Sequence, residues 1–406
     1  MWIAMMPDVP HPFGTPSLEF ARAAAGRVLL GRLGGERGAL EAYRTLYRTG
    51  DPTGVLQAVP GFVMPEVRTI QREPSGEGEV VKFTQRVPGA TVGSGTAARV
   101  FDDLSTESVL IPMIGKRQVR TYTLCVSSQV GCAMGCGFCE TAQMGLIRHL
   151  SAEEIVAQWF AAAFAVGQRP SNIVFMGMGE PMDNIENVIA AIAVLKDHNG
   201  PSLPISKITV STVGRVDGIQ RLGEQLHQPG WHRLNLAVSL NAPNDSIRSE
   251  IMPINRKWNM KALQDALLGF PIYGGGKLCI EYVLIPGVND GREHAREIAE
   301  FVAPLNAHYA KETSAGSVRC MVNLIPYNPR RNSPWPAPTT ESVDDFMAWL
   351  TAEGVYTKRR RTKGRDLMGA CGQLGSEEIR GRKLVGVSVE GGGGQMAKFS
   401  NGQMAK

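Results

Sequence analysis

The sequence predicts an α/β fold: an open, partial barrel of six strand–helix units, a (βα)6 array, with a small N-terminal accessory domain and a disordered C-terminal tail. Two patterns carry this. From residue 121 onward, short apolar runs rich in β-branched residues alternate with longer segments of helical period. After residue 375 the composition turns Gly-rich and GQMAK occurs twice. Parallel strands need crossover helices, so the alternation implies a parallel sheet. Six units fall short of the eight that close a barrel, and ligand-binding residues are expected at the C-terminal strand ends.

The elements follow in order. SLEFARAAAGRVLLGRL and LEAYRTLYRTG read as two short helices, and EGEVVKFTQRV has the alternation of a strand. A Gly/Thr-rich turn region near residue 90 closes this part, so the accessory domain is placed at 1–100. The core, 101–375, then reads as strand–helix pairs. TYTLCVSSQV precedes SAEEIVAQWFAAAFAV, whose Ser151 and Glu154 have capping-box spacing. NIVFMGMG precedes NIENVIAAIAVLKDH, and ISKITVSTV precedes RVDGIQRLGEQL. RLNLAVSL precedes NMKALQDALLGF, KLCIEYVLI precedes GREHAREIAEFVAPL, and VRCMVNLIPY precedes ESVDDFMAWLTAEG. Residues 376–406 are read as a flexible Gly-rich tail.

Composition narrows the function classes. A 43% hydrophobic content in 406 residues can bury a sizeable core. The formal charge of +5 permits RNA binding without requiring it. Seven unevenly spaced cysteines do not read as a secreted disulfide framework, and no apolar run reaches membrane-spanning length. The opening MWIAMMPDVPHPFG is a poor signal peptide. A reducing cytoplasm is the expected location, with no membrane partner.

CAMGCGFC places Cys132, Cys136 and Cys139 at C-x3-C-x2-C spacing just after the first core strand. Thiolates are the usual ligands of iron–sulfur clusters. Three of them leave one iron of a [4Fe–4S] cube open to a small molecule. The alternatives are a structural zinc, which wants a fourth ligand such as His149 or a distant cysteine, and buried free thiols. Cys279 and Cys320, inside apolar strands, read as core residues.

CVSSQVGC, GMGEPMDN, VSTVG, SLNAPND, NLIPYNP and GACGQL follow one another along the chain. Together with the cysteine spacing they resemble the motifs of the RlmN/Cfr family of radical S-adenosylmethionine (SAM) enzymes, RNA methyltransferases acting on adenine carbons. The similarity covers roughly residues 105 to 375. The resemblance implies a radical SAM barrel, a [4Fe–4S] cluster on the three cysteines, and SAM used twice per turnover. It makes Gly179, Glu180, Ser211, Ser239, Leu240, Asn241 and Asn328 the SAM contacts, with Asn241 standing where the family usually has histidine. Without it, a single Ser or Asn here reads as a turn or cap residue.

The resemblance also implies a mechanism. The C2 and C8 carbons of adenine are poor nucleophiles, so they cannot simply attack the methyl group of SAM. Cys371 accepts a methyl group from one SAM. A second is cleaved at the cluster, and the resulting 5′-deoxyadenosyl radical takes a hydrogen from the S-methyl group. The methylene radical adds to the base, Glu107 removes the proton at the target carbon, and Cys125 releases the product through a transient disulfide. By themselves these cysteines read as core or inert thiols, and Glu107 as a solvated carboxylate. Lys358, Arg359, Arg360, Arg361, Lys363 and Arg365 crowd the segment before Cys371 and are read as phosphate contacts rather than a solvated face. The implied activity is methylation of adenine C2 in 23S rRNA, with tRNA as a further substrate, by a monomer reduced by a donor such as flavodoxin. The alternatives are C8 methylation, a radical SAM enzyme with a non-RNA substrate, and a non-enzymatic RNA-binding or zinc protein.

Overall fold

The computed structural model describes residues 9–28, 35–59, 61–93, 99–115, 118–273, 276–310 and 320–375. The first eight residues of the opening segment, and the tail from 376, lie outside them. Helices α1 (Ser17–Val28), α2 (Gly35–Thr49) and α3 (Thr53–Ala58) come first, then strands β1 (Val67–Ser75), β2 (Gly78–Val92), β3 (Arg99–Ile114) and β4 (Arg120–Cys125). Two short strands, β5 (Gln129–Gly131) and β6 (Leu146–His149), bracket the cysteine loop and α4 (Glu140–Met144). There follow α5 (Ala152–Phe160), β7 (Asn172–Phe175), α6 (Ile185–Leu195), β8 (Ile208–Thr212), α7 (Val216–Leu226), β9 (Asn235–Ser239), α8 (Asp245–Ile251) and α9 (Met260–Leu268). The last are β10 (Leu278–Leu284), α10 (Arg292–Ala310), β11 (Cys320–Pro326), α11 (Thr340–Ala352) and β12 (Thr357–Arg359).

The chain divides into two units. The first holds residues 1–130, 148–177 and 184–209. Its strand order is β1-β2-β3-β4-β7, antiparallel from β1 to β4 and parallel between β4 and β7. The sequence reading anticipated β2 but not β1 or β3. β1 is largely exposed and polar, VRTIQREPS, so it lacks the apolar alternation that betrays a half-buried strand. α2 buries Ala39, Ala42, Tyr43, Leu46 and Tyr47 along one face. The two tyrosine hydroxyls donate to Thr15 O (3.1 Å) and Pro12 O (3.0 Å), so neither is buried without a partner. Ser151 begins α5 with both bonds of a capping box. The α-helix ends at Phe160 and a π-helical turn carries on through Ala165.

The second unit holds residues 131–147, 178–183 and 210–406. Its strand order is β8-β9-β10-β11-β12, with β9, β10, β11 and β12 parallel. β12 is a strand that the sequence reading took only as part of a basic run. Around the cysteine loop, Cys136 and Phe138 pack with Ala242, Ile247, Ile251, Met252, Ile285 and Tyr327 into one buried cluster. No described helix is long and apolar enough to cross a membrane.

Candidate active site

In the second unit, the loop after β5 carries Cys132, Cys136 and Cys139, of which Cys132 and Cys136 are buried. Burial pushes all three thiols up, and neighbouring Cys136 adds to this at Cys132, as Cys139 does at Cys136. Sulfur in such a place becomes thiolate only with strong cationic help, which metal ligation supplies. A structural zinc wants a fourth ligand beside three thiolates. An iron–sulfur cube takes each thiolate on a different iron and fits this donor set. Two backbone bonds shape the loop: Gly137 N–H donates to Ile251 O (2.9 Å), and Cys139 N–H to Cys136 O (3.2 Å). Arg330 Nε, itself buried, braces it at Gly137 O (2.8 Å).

The expected SAM contacts of this unit gather at strand ends. Gly179 holds a φ of +101°, the left-handed region that favours glycine. It leads into Glu180, which is buried and accepts from Met182 N (3.0 Å) and Val213 N (2.9 Å). Burial raises the Glu180 carboxyl to about 6, although these backbone donors pull the other way. Ser211 lies in β8, Ser239 closes β9, and Leu240 and Asn241 follow, both buried. Asn241 takes a φ of +54°, a conformation asparagine tolerates better than most residues. Its Oδ1 accepts from Val283 N (2.9 Å), and its carbonyl accepts from Asn289 Nδ2 (2.8 Å). The asparagine in place of the usual histidine is therefore built into the wall between β9 and β10. Asn328, after β11, lies against the Cys371 segment, its Nδ2 3.5 Å from Cys371 O. Its Oδ1 accepts from Arg365 Nη2 (3.2 Å).

Three residues here were not anticipated. Arg248 is fully buried on α8 and donates to Leu240 O (3.0 Å), Val213 O (2.6 Å), Ser239 O (3.2 Å) and Asn255 Oδ1 (2.9 Å). It ties the ends of β8 and β9 together. Burial lowers its guanidinium to about 10, so it stays charged at neutral pH. Glu281 and Asn323 share one sheet face with Ser239 and Lys358, because the four are successive cross-strand partners. Asn323 Nδ2 donates to Glu281 Oε1 (3.2 Å), and Arg360 Nη1 lies 3.7 Å from the same oxygen. Arg359 pairs with Asp344 (2.7 Å). The basic run is thus partly committed to the fold, since strand alternation sends neighbouring arginines to different acids. A carboxylate inside the apolar run KLCIEYVLI was the one available signal for Glu281.

The other two expected catalytic residues belong to the first unit. In the β2–β3–β4 register, Lys82 is opposite Val109 and Val109 is opposite Cys125. Glu107 stands two residues from Val109, so Lys82, Glu107 and Cys125 project from one sheet face. Glu107 is buried and pairs with the buried Lys82 ammonium at 2.9 Å. It is not the solvated carboxylate its type suggests. Cys125 is buried at the end of β4.

Comparison with known proteins agrees with this architecture. The family model of the radical SAM superfamily matches residues 126–302. A probable dual-specificity RNA methyltransferase RlmN 1 of Protochlamydia amoebophila is 43% identical over 70% of this chain and 74% of its own. The dual-specificity RNA methyltransferase RlmN of Lawsonia intracellularis is 38% identical over 79% of this chain and 81% of its own. The crystal structure of a radical SAM methyltransferase from Sphaerobacter thermophilus superimposes with a TM-score of 0.70 at 31% identity, covering 89% of this chain and 98% of that one. The chain belongs to the RlmN family of radical SAM RNA methyltransferases.

Proposed function

We propose that this enzyme methylates an adenine carbon, C2, of 23S rRNA, and of tRNA as well, through a methylated-cysteine intermediate. The observation that carries the reading is the seating of Cys371 in the unit that holds the three cluster cysteines. Its segment is bonded to the cluster loop through Glu140 N–H, which donates to Gly372 O (2.7 Å). When bound, the cluster supplies the electron that cleaves SAM reductively. Cys132, Cys136 and Cys139 hold it, and the strand-end residues from Gly179 to Asn328 hold SAM. Cys371 would carry the methyl group taken from one SAM and would give up one of its hydrogens to the radical that a second SAM supplies. Glu107, paired with Lys82 at 2.9 Å, accepts the proton from the target carbon. Once the base-bound radical has given one electron to a one-electron acceptor, the Cys125 thiolate attacks the sulfur of Cys371. The carbon–sulfur bond breaks, its electron pair stays with the carbon, which takes a proton to become the new methyl group, and the disulfide that forms is reopened by an external dithiol reductant. A flavodoxin-like donor, a monomeric state and a cytoplasmic location complete the proposal. The relatives named as RNA methyltransferases support an RNA substrate.

The test separates the two cysteines. Cys125→Ala should load Cys371 and add to RNA but fail to release it, so a covalent protein–RNA adduct accumulates on a denaturing gel. Cys371→Ala should give none, because no carrier exists. Normal turnover without adduct in the Cys125 variant would sink the two-cysteine route.

A further inference from the structure

The segment around Cys371 is not simply draped over the second unit. Four of its carbonyls are held by side chains or amides from the start of α4 and from the loop after β11. Gly372 O accepts from Glu140 N–H (2.7 Å), and Leu374 O accepts from Thr141 Oγ1 (2.5 Å). Gly375 O accepts from Arg331 Nη1 (3.0 Å), and Cys371 O faces Asn328 Nδ2 at 3.5 Å. In the return direction, Gln373 Nε2 donates to Pro329 O (2.9 Å). Glu140 and Thr141 directly follow the cluster ligand Cys139, while Asn328 and Arg331 lie in the loop after β11. The two segments join at one ion pair. The Glu140 carboxylate, with a side chain 1% exposed, accepts from Arg331 N (3.1 Å) and Arg331 Nη1 (3.4 Å). The same Arg331 nitrogen that meets Glu140 also grips Gly375 O.

We propose that Glu140 and Arg331 form a latch that positions the Cys371 segment against the cluster loop; they are positioning residues for the methyl carrier. A buried carboxylate needs a cation nearby, and a guanidinium can serve it while still donating to a carbonyl. The charge on Glu140 thereby fixes the direction of Arg331, and Arg331 fixes the end of the carrier segment. The role given to Cys371 as methyl carrier rests on the function proposed above; the latch itself rests only on the bonds.

Arg331→Ala is the primary variant, since Arg331 is partly exposed and Glu140 keeps the backbone N–H of residue 331 as a donor. Glu140→Gln is the second, and Arg331→Lys is the conservative rescue. Cys371 alkylation by iodoacetamide and hydrogen exchange in the 369–375 peptide are read by mass spectrometry, beside Cys371 methyl occupancy, iron content and SAM cleavage without RNA. In the Ala variant, alkylation and exchange should quicken about tenfold, the order expected when one charge-assisted bond is removed. Methyl occupancy should fall, iron and SAM cleavage should stay at wild-type levels, and the Lys variant should lie between. Unchanged alkylation and exchange would overturn the latch, as would loss of iron in step with them, which would make the pair a support of the cluster loop instead. Absence of methyl on wild-type Cys371, with the variants still separating by exchange, would refute the carrier reading and leave the latch standing.

Discussion

Glu180 shows how one buried side chain sets a pH dependence. Burial lifts its carboxyl from 4.5 to about 6, so the folded protein binds that proton more tightly than the unfolded chain does. The stabilisation is therefore complete below pH 4.5 and lost as pH rises through 6, a change of about 2 kcal/mol. Glu180→Gln cannot titrate. Its unfolding free energy relative to wild type, in protein without cluster or SAM, should rise by about 2 kcal/mol between pH 4.5 and pH 8. A gap that stays constant across urea titrations at those pH values would contradict the assignment.

At the scale of elements, the strand ends that form the expected SAM site are joined by one arginine. Three backbone carbonyls at the ends of β8 and β9 converge on Arg248. Arg248→Met would leave these acceptors buried without donors, at about 3–5 kcal/mol. Arg248→Lys keeps the charge but cannot reach four acceptors at once, so it should fall between. Chemical denaturation and SAM titration should show stability and affinity dropping together. A Met variant within about 1 kcal/mol of wild type would mean that the strand ends hold themselves.

Over the whole molecule, the mild positive charge matters only where it is exposed to a polyanion. Arg359 and Arg360 face Asp344 and Glu281, whereas Lys358 and Arg361 are exposed. Neutralising Lys358 and Arg361 to Gln should weaken RNA binding and lower its salt slope by about one for each phosphate no longer neutralised. Arg359→Gln should leave the slope nearly unchanged. Equal slopes in all three variants would show that RNA approaches another face.

The sequence by itself determined the order of strands and helices in the core and the cysteine loop, because periodicity and ligand spacing are local properties. GMGEPMDN, SLNAPND and GACGQL could likewise be read as short motifs at predicted strand ends or loops. It could not yield β1, whose exposed polar residues carry no apolar alternation, nor β3, nor β12, whose three residues gain a partner only beside β11. Nor could it show that Glu107 is buried beside Lys82, since cross-strand register places them together. Asn241 and Arg359 needed the tertiary structure too: the one turned its amide into the wall, the other found an acid on α11. Spacing along a chain reports which groups can be close; only packing decides which charge is compensated, and by what.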